Sequence, residues 1–277
     1  MIYLNAEVVS GLGEDTFWTW FHREFPTSVF EEPTKLEDND VVLRYSTLGF
    51  LPAVGKQVAL CWELYPAMRE RFGSSLWDDK IAAVRETARY ATYRTVASDL
   101  TRADYEVFGS VDVIPIGVDV DMFRPLPDKR ALRAKYGLPE DRDIGVWIGT
   151  AHPMKGFALL LEYARSHPDI HWITICKTDF ESVAMPGASS FVHVTQQTSC
   201  ELINAADFFL STSLLRPFFM AEWEAMACGV PMRLIGEPAK EFVPSTTPRA
   251  DVLRLGWDRP SVKKLWEEYL ADRGITW

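Results

Sequence analysis

The feature that most constrains this chain is an alternation that occurs twice. Short apolar runs ("MIYLNA", "TSVFEE", "VVLRYS", "VALCWE", "TVAS", "DVIPI") alternate with stretches of helical period such as "EDTFWTWFHREF" and "WDDKIAAVRETARYATYR". A second series follows: "DIGVWIGT", "GFALLLEYARSH", "HWITICK", "SFVHVT", "SCELINAA", "DFFLSTS" and "MAEWEAMAC". Such alternation is the signature of an α/β fold with parallel sheets, and two series predict two layered domains. The join falls near "GVDVDMFRPLPDK", where Pro115, Pro125 and Pro127 interrupt both patterns. The expected organisation is residues 1–120, residues 121–258, and a helix over 259–277. That helix presents Val262, Leu265, Trp266, Tyr269 and Leu270 on one side and is expected to pack back on the first domain.

With 277 residues, 47% of them hydrophobic, the chain can bury a core of this size. Its formal charge of -10 argues against generic attraction to nucleic acid or anionic lipid, although a local basic groove stays open. Cys61, Cys176, Cys200 and Cys228 lack ligand spacing and read as buried reduced thiols. The first residues lack the basic start and apolar run of a signal peptide, and no stretch is long and apolar enough to be a membrane anchor. A cytoplasmic protein is the expectation. The acidic triplets at 38–40 and 119–121 read as loop residues, so no metal is expected.

Four constellations could carry chemistry. In "IGTAHPMKGF" a strand ends at Gly149 and a helix begins near Gly156, so free backbone N–H groups, Lys155 and the ring of His152 could meet a phosphate. The same residues also read as a plain turn with a solvated lysine. Glu224 follows "LSTS" on a helix, where a carboxylate can pair with both hydroxyls of a ribose; the alternative is a solvated glutamate, the reading also given to Glu222. Gly11 and Gly13 in "SGLGED" permit close backbone approach to a ligand, or simply make a tight turn. Glu63 ends the strand of "ALCWELYP", where acid/base work competes with a structural ion pair.

Taken in order, "VIPIGVDVDMFRP", "GVWIGTAHPMKGFALLLEYA", "ELINAADFFLSTS" and "EWEAMACGVPM" resemble the GT-B glycosyltransferases, specifically the large retaining family of group 1, or family 4, type. The resemblance implies two Rossmann-like domains facing across a cleft. A nucleotide-diphosphate sugar would be held mainly by the second domain, with a UDP-sugar favoured and no further cofactor required, and an acceptor by the first. The family's phosphate-binding lysine is matched by Lys155, whereas its arginine falls at Thr150. The ribose-binding glutamate is matched by Glu224, but the glutamate eight positions earlier, which contacts the donor sugar, is here Arg216. The family's glycine, phenylalanine, glycine run appears as Pro217, Phe218 and Phe219. Arg216 could replace the charge that Thr150 lacks, since guanidinium fits phosphate bidentately.

The implied reaction is hexosyl transfer to a hydroxyl acceptor with retention, although a base at Glu63, where members often carry a histidine, would permit inversion. Compact phage-type members that glycosylate hydroxymethylated pyrimidines share this build. A DNA acceptor would use the stripe Arg69, Arg71, Lys80, Arg85, Arg89, Arg94 and Arg102 with its interleaved aromatics, which otherwise reads as a solvated helix. Glycan or small-molecule acceptors, and a catalytically silent nucleotide-sugar-binding protein, are the alternatives. A dinucleotide enzyme is disfavoured because no full G-x-G-x-x-G follows the first strand.

Overall fold

The structure is a computed structural model that describes residues 1–5, 13–31, 37, 40–45, 56–150, 153–176, 185, 187–215, 219–235 and 247–277; for 13–16 and 45 it describes the backbone alone. In chain order the described elements are β1 (Ile2–Asn5), α1 (Gly13–Glu24), β2 (Ser28–Val29), β3 (Val41–Tyr45), β4 (Lys56–Leu60), α2 (Tyr65–Phe72), a 3₁₀ turn (Ser75–Trp77), α3 (Asp78–Tyr90), β5 (Tyr93–Val96), α4 (Asp99–Glu106) and β6 (Asp112–Val113). They continue with α5 (Lys129–Lys135), β7 (Ile144–Ile148), a second 3₁₀ turn (Pro153–Lys155), α6 (Phe157–Ser166), β8 (His171–Cys176), β9 (Ala188–Val192), α7 (Gln196–Ala205), β10 (Phe208–Ser211), α8 (Met220–Ala227), β11 (Met232–Leu234), α9 (Pro248–Arg254) and α10 (Arg259–Ala271). The chain divides into two units, one of Met1–Gly117 with Pro260–Trp277 and one of Val118–Arg259.

The first unit holds a parallel sheet in the order β2-β1-β3-β4-β5-β6. Its central strands are buried on both faces, as expected for a sheet covered by helices. Phe17, Trp18 and Phe21 of α1 and Phe25 just beyond it are buried at helical spacing, and α10 brings Trp266 against Phe17 and Phe21. The rings of Phe17 and Trp62 meet edge to face at 4.7 Å, and those of Phe21 and Trp266 at 5.3 Å. On α10, Val262, Trp266, Tyr269 and Leu270 are buried while Leu265 is 39% exposed, so the stripe is narrower than the sequence suggests. Helix α3 also stops at Tyr90, short of the expected Arg94: Ala91 is extended and Arg94 lies in β5. There its buried guanidinium donates to the carbonyls of Ala88 and Ala91, satisfying the end of α3.

The second unit has a parallel sheet in the order β11-β10-β7-β8-β9. Trp147, Leu160, Trp172, Phe208 and Leu210 form its core. Gly145 makes room for it: a Cβ there would lie 2.6 Å from the Trp172 ring and 2.7 Å from the Phe208 ring. Where the chain enters and leaves this unit the backbone is paired, with Val118 N donating to Trp257 O (2.8 Å) and Arg259 N to Val118 O (2.9 Å). The short elements β11, α2, α4, α5 and α9 were not expected from the sequence. All four cysteines are free and buried. No helix among the described residues is long and apolar enough to cross a membrane.

Candidate functional site

In an open parallel sheet, ligands settle outside the carboxyl ends of the strands where the winding reverses. In the second unit that point lies between β7 and β10, which are neighbours although the chain first proceeds from β7 to β8 and β9. The loop after β7 contains Gly149, Thr150 and Lys155; the loop after β10 contains Thr212 and Ser213 and leads towards α8.

The two loops are locked together. Thr212 is fully buried, accepts a hydrogen bond from Trp147 Nε1 (3.0 Å) and donates to the Lys155 carbonyl (2.7 Å). Leu214 N adds a bond to Met154 O at 2.8 Å. Gly156 then opens α6 at φ +64°, and a Cβ on it would stand 1.9 Å from Thr212 O, so the approach requires glycine. The Lys155 ammonium lies 3.2 Å from the ring centroid of Phe219, the buried residue that precedes α8. Neither α6 nor α8 has a side-chain cap at its N-terminus. One cation and two uncapped helix starts therefore gather at the sheet's switch point, an arrangement suited to an anion such as a diphosphate.

On α8 two glutamates differ in setting. Glu222 is 6% exposed and its carboxylate accepts from the Ser211 hydroxyl, which corrects the expectation of a solvated side chain. Glu224, about 200° further round the helix, is half-buried. The Ser211–Glu222 pair and the Thr212 hydroxyl were missed; the only signal was the polar "STS" at the end of an apolar strand.

Thr150, Lys155, Phe219 and Glu224 all fall in the second unit, with Lys155 and Phe219 in contact, while His152, Arg216 and Phe218 lie outside the described residues. In the first unit, Glu63 lies just beyond β4, half-buried, its carbonyl accepting from Tyr105 Oη at 3.1 Å. Gly13 begins α1, and Gly11 lies outside the described residues. The arginine stripe is largely engaged within the protein: Arg69 pairs with Asp78 (2.8 Å), Arg102 with Asp99 (2.6 Å), and Arg94 is consumed by backbone carbonyls. The carboxylate of Asp119 caps its own turn and pairs with Arg259 at 2.8 Å.

No family profile matches the chain. A D-inositol 3-phosphate glycosyltransferase of Mycolicibacterium paratuberculosis is 32% identical over 136 residues, which cover 44% of this chain and 31% of that protein. The protein of the same name from Mycobacterium avium is 32% identical over the same length, covering 32% of its own sequence. The chain therefore spans about a third of these relatives. Among solved structures, Anabaena HepE in complex with UDP-glucose superimposes with a TM-score of 0.75 at 13% identity, covering 98% of this chain and 99% of that one. WaaG, a glycosyltransferase involved in lipopolysaccharide biosynthesis, gives 0.66 at 14% identity over 98% and 95%. The sucrose-phosphate synthase of Thermosynechococcus elongatus gives 0.62 at 17% over 84% and 72%. The chain has the GT-B fold, and over 136 residues it is similar in sequence to the D-inositol 3-phosphate glycosyltransferases.

Proposed function

We propose that this protein is a retaining glycosyltransferase that moves a sugar from a UDP-sugar to a hydroxyl acceptor. The observation that carries the reading is the locked pair of loops at the β7/β10 switch point, with Lys155 and two uncapped helices beside it. In this reading Lys155 and the helix starts neutralise the diphosphate, both before and after the bond to the sugar breaks, when its negative charge grows. Glu224 accepts from the ribose hydroxyls. Arg216 supplies the second cation that Thr150 cannot, and Glu63 orients the acceptor hydroxyl from the first unit. The UDP-glucose complex of HepE and the glycosyltransferase names of the relatives support this reading. A glycan or small-molecule acceptor is preferred to DNA because so many arginines of the stripe are already engaged.

The departures at Thr150 and Arg216 motivate a second reading, a silent nucleotide-sugar-binding protein. Thermal shift and sugar release with UDP-glucose separate the two. Stabilisation that Lys155→Ala and Glu224→Ala abolish, together with turnover, is the expected result. Stabilisation without turnover or transfer to any acceptor favours the silent protein, and no response to any nucleotide sugar rejects both.

A further inference from the structure

The first unit has a cavity of about 590 Å³ between α2, α3 and α4 that is open to solvent, with Glu70, Asp78, Ala82 and Arg85 exposed around it. Its charged lining is Arg69, Glu70, Asp78, Arg85 and Asp104. Arg69 and Asp78 neutralise each other at 2.8 Å. Glu70, Arg85 and Asp104 carry no hydrogen bond or ion pair among the described residues, so two carboxylates and one guanidinium face the space. Burial raises the Asp104 carboxyl above its ordinary range, against the opposing pull of Arg85 and with a smaller push from Glu70. Ile81, buried, and Ala82 give the cavity an apolar side.

The cavity is linked through the chain to the candidate acceptor residue. Pro66, on its rim, lies three residues beyond Glu63, and Tyr105, which follows Asp104, holds the Glu63 carbonyl. Charge separates the possible ligands. An anion placed here meets Glu70 and Asp104, and a cation meets Arg85. A neutral polyhydroxylated molecule offers hydroxyls that donate to the carboxylates and accept from the guanidinium, and its C–H faces can rest on the apolar side.

We infer that the α2/α3/α4 cavity is a binding site for a neutral saccharide, and that it holds the acceptor whose hydroxyl is presented beside Glu63. The second half of this statement rests on the glycosyltransferase reading; the first half does not. An uncharged acceptor differs from the inositol phosphate in the relatives' name.

The test is direct binding to the full chain, without nucleotide, followed by saturation-transfer NMR and calorimetry. The probes are maltose, cellobiose, lactose and trehalose, with inositol 1-phosphate as the anionic comparison. At least one disaccharide should bind, and Asp104→Asn and Arg85→Gln should each weaken it by about tenfold, the loss expected for one charged hydrogen bond. Glu86→Gln, exposed on α3 and outside the cavity, should leave the affinity as it was. Melting curves of each variant report its folding. Failure of all four disaccharides to bind overturns the inference, as does binding indifferent to both cavity substitutions, or preference for the inositol phosphate. Because UDP-glucose stabilisation is read separately, its loss would remove the donor reading while leaving the saccharide site standing or falling on its own measurement.

Discussion

The two sheets obey the same winding logic but are held in different ways. Around the first, large rings from α1 and α10 close the core, and the described contacts near Trp266 are mainly apolar. At the switch point of the second, a buried hydroxyl, a left-handed glycine and an ammonium over an aromatic ring fix the loops. Apolar burial is non-directional and tolerates small shifts, whereas hydrogen bonds at about 3 Å fix atoms in place. The first arrangement suits stability and the second suits a ligand site.

The contrast can be broken experimentally. Trp266→Ala should have the largest effect on stability, about 3–5 kcal/mol for an emptied aromatic site, seen as a lower urea midpoint, with UDP-glucose binding by the folded protein retained. Loss of binding at full folding would show that the two regions are not separable in this way. Gly156→Ala should cost less, about 1–3 kcal/mol of backbone strain, but should abolish UDP-glucose stabilisation because the loop must leave Thr212. Retained nucleotide binding in that variant would refute the role given to the lock. Thr212→Val should cost about 1–2 kcal/mol by leaving the buried Trp147 indole N–H without its acceptor, and should weaken nucleotide binding in part.

The smallest effect concerns acid. Glu201, on α7, is held down to about 2 by Lys135, the Tyr136 hydroxyl and the Gln197 amide. A depressed carboxyl stabilises the fold fully above its unfolded value near 4.5, and that contribution is lost as pH falls towards 2. Urea midpoints should therefore fall between pH 5 and pH 3, and the fall should be shallower in Glu201→Gln.

Most of the fold was legible because buried parallel strands write themselves as short apolar runs, as in "VVLRY" and "FFLS". The errors share a cause. Arg94 continues the apparent helix in sequence, yet its side chain is worth more as a cap on α3 than as another helical residue, and only tertiary structure shows which carbonyls await it. Elements such as β11, three residues long, carry too little periodicity to be read. Within the candidate site, Lys155 and Glu224 were picked out through the family resemblance, and Gly156 only as the start of a helix. Glu222 did not, because whether a helical glutamate faces solvent or a serine depends on which side packs on the sheet. Thr212 was invisible for a related reason: nothing in a single hydroxyl announces a donor 65 residues away in β7 and an acceptor 57 residues away in the turn that follows it.

The assignment of Pro260–Trp277 to the first unit has a consequence for how the molecule comes together. Phe17 and Phe21 are made before Val118–Arg259 and their partner Trp266 only after it, so the core of the first unit is completed across the whole of the second. The second unit is continuous and can close on itself during synthesis, while the first must keep an aromatic surface open across the making of Val118–Arg259. Pairing over so long a separation is slow to form, and this interval is when the chain is most exposed to association with other unfinished copies.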